Sequence, residues 1–421
     1  GTEFAYFEVG DHFENWPINS SQFKSFVIKW LMENGEVPTD NKVDTVLAIC
    51  RARAYIDGLK YEVYNRYVRL DEGSIVIDLS RPDWKVMKIN EEGYQLIDYE
   101  QVGPIFRRYN HLKEIRYEEG HKEDLNQFLE LLNLKPEDKV LVAGLLASMM
   151  VPAFPHSIII LTGPQGSGKT TFSKAIRRVV DNSQVLTLSL PHDLDRLSQQ
   201  LQHNYVVAYD NLDEIYPEQA DALARAVTGE GIIKRRLYSD EDDLIFRYLR
   251  ILILNGINAP TLRPDLLDRS IILELERVPS EKRQEFSAIE SRLEELTPKV
   301  TGYLYSILPK ALSLYEQVSK ELRGNLPRMA DSVIWSETCA RAMGFEPFSL
   351  YTRYMEIIRQ QNQIVLEGNL IAELLIKWLD GNEDYKLKGQ VEVSPSFLLE
   401  ELKRQAELQD LNTKKLPETS A

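Results

Sequence analysis

The feature that most constrains this chain is the segment Gly163-Pro164-Gln165-Gly166-Ser167-Gly168-Lys169-Thr170. It matches the pattern G-x-x-x-x-G-K-[ST] at every fixed position, follows the apolar run 158–161 and opens a predicted helix over 171–180. A strand, a glycine-rich turn and a helix in this order form a loop whose backbone N–H groups bind phosphate. The alternative is a chance glycine-rich turn, and the flanking strand and helix disfavour it.

This loop predicts a nucleotide site with ATP and Mg²⁺ as cofactors. The positive end of the helix dipole favours phosphate at the same place. Lys169 is expected to reach the β- and γ-phosphates, and Thr170 to supply a hydroxyl to Mg²⁺. The predicted cofactor-binding residues are Gly163, Pro164, Gln165, Gly166, Ser167, Gly168, Lys169, Thr170 and Thr171.

Two further apolar runs end in polar residues that suit this site. The first ends at Asp210, a metal-binding carboxylate that is expected to act with Thr170. The next residue is Asn211, where many such ATPases carry a Glu that activates water, so the identity of the catalytic base stays open. The second run ends at Asn255, which could orient the attacking water, and an Asx turn is the alternative.

Arg263 and Arg269 precede the last apolar run of this region. Arg269 is predicted to point across a subunit interface at a neighbour's γ-phosphate, as an arginine finger does. The alternative for both is an ion pair with Asp265 or Asp268, the common fate of surface arginines. The predicted catalytic residues are therefore Lys169, Asp210, Asn211, Asn255 and Arg269.

Composition limits the partners of the chain. Lys and Arg total 50 and Asp and Glu total 65, so the formal charge is −15. This excludes a generally basic, DNA-coating protein, but not a nucleic-acid binder whose cations lie in one channel. The two cysteines, Cys50 and Cys339, exclude a disulfide framework and favour a cytoplasmic setting. No apolar run approaches the roughly 18 residues of a membrane span, so no membrane partner is expected.

The order of the apolar runs predicts an α/β fold. Five runs alternate with helical patterns between residues 157 and 280, which is typical of a parallel sheet covered on both faces. These runs are 158–161, 185–188, 205–209, 251–254 and 271–275.

Four further segments flank this predicted core. Residues 1–118 predict an N-terminal α+β module with strands, and residues 119–156 a helical linker. Residues 281–368 predict a helical region. The last segment, 369–421, has a helix–strand–helix pattern that could begin a partial winged-helix unit. The strands expected in the first module are 62–70, 74–79, 84–89 and 94–98.

Four segments now stand in order: GPQGSGKT, VVAYD, ILILN and DLLDRSIILEL. Their order and spacing resemble the AAA+ P-loop NTPase core of superfamily 3 helicases. More closely, they resemble helicase-like ATP-binding proteins of phages, plasmids and integrated mobile elements. The resemblance covers residues 157–279, and a weaker match continues at LPRMAD, residues 326–331.

The resemblance implies a homo-oligomeric ring, expected to be a hexamer, that binds single-stranded or forked DNA. Such a ring unwinds DNA in the replication of a mobile element. It also implies a β-hairpin that projects into the central pore, here within residues 217–250. The predicted DNA-binding residues of that hairpin are Lys234, Arg235, Arg236 and Tyr238, because cations neutralise phosphates and an aromatic ring packs on sugar or base. A solvated hairpin balanced by the acids at 240–243 is the alternative.

A second function class stays open beside the helicase. The chain could be a switch or loader that uses ATP to assemble a replication or defence complex, with a primase or initiator as a further partner. Asn211 and the acids of the hairpin favour this alternative. A nucleotide-bound scaffold without turnover is a third hypothesis. Ring size, polarity of movement, origin sequence and membership in a larger primase–helicase are open at this stage.

Overall fold

The computed structural model describes residues 2–230, 232–235, 243–246, 249–256, 263–279, 281, 285–367, 370–382, 385, 386 and 390–408. The chain starts with an antiparallel hairpin of strands β1 (Phe4–Val9) and β2 (His12–Pro17), followed by helices α1 (Ser21–Glu33) and α2 (Asp40–Asp57). The hairpin was not predicted. Most of its residues are half-buried on both faces, so they lack the alternation that indicates a strand.

A four-stranded antiparallel meander follows. Its strands are β3 (Tyr67–Arg69), β4 (Ile75–Asp78), β5 (Val86–Asn90) and β6 (Gly93–Ile97), and they pair in sequence order. All four were predicted, but the first is shorter than the expected 62–70. Arg66 has a φ of 61°, and this left-handed backbone keeps it out of the strand that begins at Tyr67.

The central α/β layer contains a four-stranded parallel sheet in the order β12–β7–β11–β8. In chain order, its elements and their neighbours are α3 (Lys122–Leu131), α4 (Lys139–Ser148), β7 (Ile158–Thr162), α5 (Lys169–Val180), α6 (Leu194–His203), β8 (Val206–Tyr209), α7 (Pro217–Thr228), β9 (Ile232–Arg235), β10 (Asp243–Phe246), β11 (Ile251–Asn255), α8 (Pro264–Leu267) and β12 (Ser270–Glu274). Strands β9 and β10 pair antiparallel as a separate hairpin.

The prediction of a sheet strand at 185–188 was wrong. This segment makes an isolated bridge between Leu188 and Tyr209, held by bonds from Leu188 N to Ala208 O (2.8 Å) and from Asp210 N to Leu188 O (3.0 Å). Val185 is 52% exposed, so the run is not covered on both faces as a central strand would be. The segment nevertheless holds the edge of β8 next to Asp210.

The C-terminal part of the described chain is helical. It consists of α9 (Phe286–Glu321), α10 (Ala330–Ala342), α11 (Ser349–Glu367), α12 (Leu370–Gly381) and α13 (Pro395–Leu408). Residues 390–394 form no strand, so the described residues do not confirm the winged helix.

One hydrophobic core continues across the predicted domain boundaries. It joins Ile77 and Met87 of the meander to Leu146 of α4, Phe172 of α5 and Leu304 of α9. The predicted domain boundary at residue 118 therefore stays a prediction. In the structure, the meander packs one face against the α/β layer, and the two share a hydrophobic core.

A buried ion pair crosses the same boundary. Arg66 Nε donates to Asp181 Oδ1 at 2.9 Å, and both side chains have no exposed surface. The other Asp181 oxygen accepts from the backbone of Tyr205 (2.9 Å) and Val206 (3.0 Å). Burial disfavours the charged carboxylate, but Arg66, Arg177 and these backbone donors outweigh it and lower the pKa of Asp181.

We expect the substitution Asp181→Ala to lower the free energy of unfolding by roughly 3–5 kcal/mol, because it leaves the Arg66 guanidinium buried and uncompensated. Urea denaturation followed by circular dichroism measures this. The control is Glu316→Ala, which removes a surface carboxylate 3.9 Å from Lys320 and should change stability far less. Equal midpoints for the two variants would contradict the role assigned to the buried pair.

Candidate nucleotide-binding site

The predicted phosphate loop lies between β7 and α5. Gly168 caps α5 with a φ of 90°, a backbone conformation that favours glycine. Gly163 has a φ of 134°, and a Cβ there would lie 2.1 Å from the backbone oxygen of Leu275. Both glycines are therefore required by the path of the loop, and α5 begins at Lys169 with its N-terminal N–H groups directed at the loop.

Lys169 lies across the mouth of this loop. Its Nζ donates to the carbonyl oxygens of Gly163 (2.8 Å) and Pro164 (3.0 Å). The ammonium group is thus held where a phosphate would contact the loop, and phosphate oxygens could replace the carbonyl acceptors. The residues present fit a nucleotide phosphate in charge and in donor geometry.

Three side chains from three elements converge beside the loop. Thr170 Oγ1 donates to Asp210 Oδ1 at 3.2 Å, and Asn255 Nδ2 donates to the same carboxylate oxygen. Asn255 is 2% exposed and lies at the end of β11, which pairs in parallel with β8. The carboxyl ends of adjacent parallel strands meet at one edge, and this places Asn255 next to Asp210.

This cluster suits a magnesium ion that shares its ligands with a nucleotide. A hydroxyl and a carboxylate are hard oxygen ligands, and Mg²⁺ in nucleotide sites keeps phosphates and waters as its other ligands. The described residues contain no group of three or more His, Cys, Asp or Glu side chains placed to hold a metal. The prediction that names Thr170 and Asp210 is consistent with this, because two protein ligands are enough for such an ion.

Asn211 occupies the turn directly after Asp210. Its φ is 56°, its side chain is exposed, and its backbone N–H donates to Asp210 Oδ1 at 3.0 Å. The turn is packed tightly, since a Cβ on Gly256 would lie 2.8 Å from Leu212 N. In this geometry the Asn211 backbone helps hold the Asp210 carboxylate, while its side chain faces outward.

The structure adds Asn133 to the site, a residue that the sequence analysis missed. It follows α3 with a φ of 52°, and its Nδ2 donates to the carbonyls of Ser167 (2.9 Å) and Glu276 (2.7 Å). The amide thereby ties the phosphate loop to the segment after β12. Its sequence context, between two leucines after a helix, carries no signal for this contact.

Arg269 is placed inside the fold and not at a free surface. It is 8% exposed, its guanidinium donates to the Asp265 carboxylate, and its Nε is buried without a hydrogen-bond partner among the described residues. Arg328 shares Asp265 at 3.3 Å and is half-exposed. Hydrogen bonding from Arg269 lowers the pKa of Asp265. Arg263 pairs with Asp221 at 2.8 Å.

The predicted DNA-binding hairpin is described in part. Lys234 and Arg235 lie in β9, opposite Leu244 and Asp243 of β10, so an antiparallel hairpin is present where one was expected. Arg236 and Tyr238 lie outside the described residues. The register pairs Asp243 with Arg235, and the DNA-binding role of the hairpin stays a prediction.

None of the helices in the described part of the chain is long and apolar enough to cross a membrane. No curated protein matches the sequence. Among solved structures, an apo form of the NrS-1 C-terminal region is 13% identical, with a TM-score of 0.45, and the alignment covers 96% of this chain and 81% of that one. JCV helicase is 18% identical, with a TM-score of 0.31, and the alignment covers 51% of this chain and 65% of that one.

A family model described as actinomycete integrative conjugative element replication protein matches residues 125–357. That span is more than half of the 421 residues, and it includes the phosphate loop, Asp210 and Asn255. It also includes Arg263, Arg269 and Arg328. The predicted resemblance to proteins of integrated mobile elements is confirmed: the chain belongs to the family of replication proteins of actinomycete integrative conjugative elements.

Proposed function

We propose that this replication protein is an ATP-driven DNA motor of the AAA+ superfamily 3 type, which works as a homo-oligomeric, hexameric ring. The observation that carries the proposal is the convergence of Thr170, Asp210 and Asn255 beside a phosphate loop that opens a helix. A carboxylate, a hydroxyl and an amide at one sheet edge are the groups that nucleotide hydrolysis needs around its metal and water.

In this proposal, three groups of side chains bind and orient the nucleotide. Lys169 would exchange its carbonyl acceptors for phosphate oxygens, and Thr170 with Asp210 would hold the ion. Bound ATP–Mg²⁺ supplies the phosphoanhydride bond and the cation that polarises it. Asn255 keeps the Asp210 carboxylate oriented, and the N–H group that it directs at Thr170 Oγ1 (3.5 Å) would turn to the attacking water once Thr170 contacts the ion.

A contribution from a neighbouring subunit would require Arg269 to leave its buried position. Arg269 would reach the next γ-phosphate after its ion pair with Asp265 opens. Arg328 lies 3.3 Å from the same carboxylate and would keep it paired. When Arg269 leaves, Asp265 would stay paired with Arg328. This limits the free-energy cost of releasing Arg269, because the carboxylate keeps a cationic partner.

The DNA substrate of the proposal is single-stranded or forked DNA, drawn through the ring by the β9–β10 hairpin. Cations on β9 would neutralise phosphates, although the chain is acidic overall. A primase or initiator would be the further partner in replication of the element.

The alternative is a switch or loader that hydrolyses ATP without moving along DNA. It is favoured by Asn211, whose exposed amide cannot take a proton from water as a carboxylate can. The four acids at 240–243, which follow the predicted cations closely in the sequence, also favour it.

We expect Asn255→Ala to lower kcat of ATP hydrolysis about 100-fold, because removal of one preorganised polar group at a reacting centre has an effect of this order. Nucleotide affinity should change little, since Lys169 and the loop remain. A coupled ATPase assay and a fluorescent-nucleotide titration measure the two quantities. Asn41→Ala, an exposed residue of α2, is the matched control. An unchanged kcat would contradict the role given to Asn255.

ATP hydrolysis with and without single-stranded DNA tests the proposal itself, and Lys169→Ala serves as the blank. A motor should be stimulated severalfold by DNA, and a forked duplex should be unwound in the same mixture. Turnover that ignores DNA would favour the switch or loader. Absence of turnover in the intact chain would contradict both enzymatic functions.

The triple substitution of Lys234, Arg235 and Arg236 by Ala separates the hairpin from the rest of the motor. It should abolish DNA stimulation while basal hydrolysis persists. The control removes the same charge from α9 and the turn after it, at Lys310, Lys320 and Arg323, which are exposed. Equal stimulation in the two variants would overturn the assignment of the hairpin.

A further inference from the structure

A cleft of about 1580 Å³ lies between the N-terminal module and the α/β layer. One wall comes from the N-terminal strands and the segment after α2, and the other from residues around the end of α6 and the start of β11. No residue of the phosphate loop lines it, and neither Asp210 nor Asn255 does. The cleft is therefore separate from the nucleotide site.

The charge of the cleft is opposite to that of the chain. Its lining includes four cations and two acids, Lys60, Arg69, Arg107, Arg250, Glu3 and Glu100, whereas the whole chain carries 65 acids against 50 cations. A local excess of cations in a concave, partly desolvated surface attracts a polyanion.

Arg107 lies against an aromatic ring of the cleft lining. Its guanidinium lies 4.8 Å from the ring centre of Tyr109, a cation–π contact. Its Nε is buried and has no hydrogen-bond partner among the described residues. Because the Nε atom is buried, a phosphate in the cleft would contact the terminal N–H groups of the guanidinium instead.

The rim of the cleft carries exposed aromatic rings. Tyr55 is 82% exposed and Tyr61 is 53% exposed, with Lys60 between them in sequence. Exposed tyrosines next to cations form a surface on which bases can stack while the cations contact the backbone. The faces of bases are free for stacking in a single strand and covered in a duplex, which favours single-stranded over duplex DNA.

The position of the cleft connects it to the hairpin. Gly229 and Leu249 line it, and they lie three residues before the start of β9 and three residues after the end of β10. A strand held by the hairpin would therefore pass the mouth of the cleft as it leaves.

We infer that this cleft is a second binding site for single-stranded DNA, in which Tyr61 stacks on a base while Lys60 and Arg107 contact phosphates. The inference rests on the proposed DNA motor and adds to it a site beside the β9–β10 hairpin. The site would hold the strand next to the hairpin between power strokes.

The test is fluorescence anisotropy of a labelled oligo(dT) strand with the full chain and its variant Lys60→Ala/Tyr61→Ala. Both residues are exposed and lie in the segment between α2 and β3, so the variant should fold. The control Tyr385→Ala/Lys386→Ala removes the same two residue types from an exposed site that does not line the cleft. We expect DNA to bind about tenfold more weakly to the first variant, within the range for loss of one stacked base.

The salt dependence gives a second readout. The slope of log affinity against log salt should fall by roughly one unit in the first variant relative to a Tyr61→Ala single variant, because one phosphate contact is lost. Basal ATP hydrolysis should be unchanged.

The outcomes separate this inference from the proposed function. If the intact chain binds no single-stranded DNA, both fail. If the chain is stimulated by DNA and the two double variants bind it equally, the cleft site alone is overturned. Equal DNA binding together with a weakened oligomer in sedimentation would assign the cleft to a second copy of the chain instead.

Discussion

The buried carboxylate of Asp181 links the candidate nucleotide site to the N-terminal module. It lies just after α5, the helix that begins at the phosphate loop. One oxygen accepts from Arg66 beside the meander, and the other accepts from the backbone at the start of β8. Helix α5 carries Lys169 and Thr170 at its far end, and β8 leads to Asp210. One side chain thus fixes the relative position of the two elements that bring Thr170 and Asp210 within 3.2 Å.

The same anchor explains why the N-terminal module is packed as part of one body. Arg66 also donates to the backbone of Lys113 at 2.7 Å and to Ser80 at 2.8 Å, and Tyr67 Oη donates to Val180 O at 2.7 Å. These bonds hold the meander against the end of α5. Tyr67 is also part of the cleft lining, so this point of the cleft wall is fixed to the end of α5.

Local patterns allowed most of the candidate site to be predicted from the sequence. The phosphate loop needs neighbouring glycines, a lysine and a threonine, and all are visible within eight positions. Asp210 and Asn255 follow apolar runs, and parallel pairing brings strand ends together. Asn133 and Arg66 could not be found this way, because their contacts join residues far apart in sequence and depend on a left-handed backbone at each. The burial of Arg269 was likewise invisible, since sequence cannot distinguish a paired arginine from a free one.

The central claim is that the loop and the Thr170–Asp210–Asn255 cluster form one magnesium-dependent nucleotide site. Isothermal titration of the intact chain with a nonhydrolysable ATP analogue, in Mg²⁺ and in EDTA, tests it most directly. The account predicts binding about tenfold or more tighter in Mg²⁺, with that difference lost in Asp210→Ala, because the ion bridges the phosphates to the carboxylate. Equal affinity in Mg²⁺ and EDTA, or no binding in either, would contradict it.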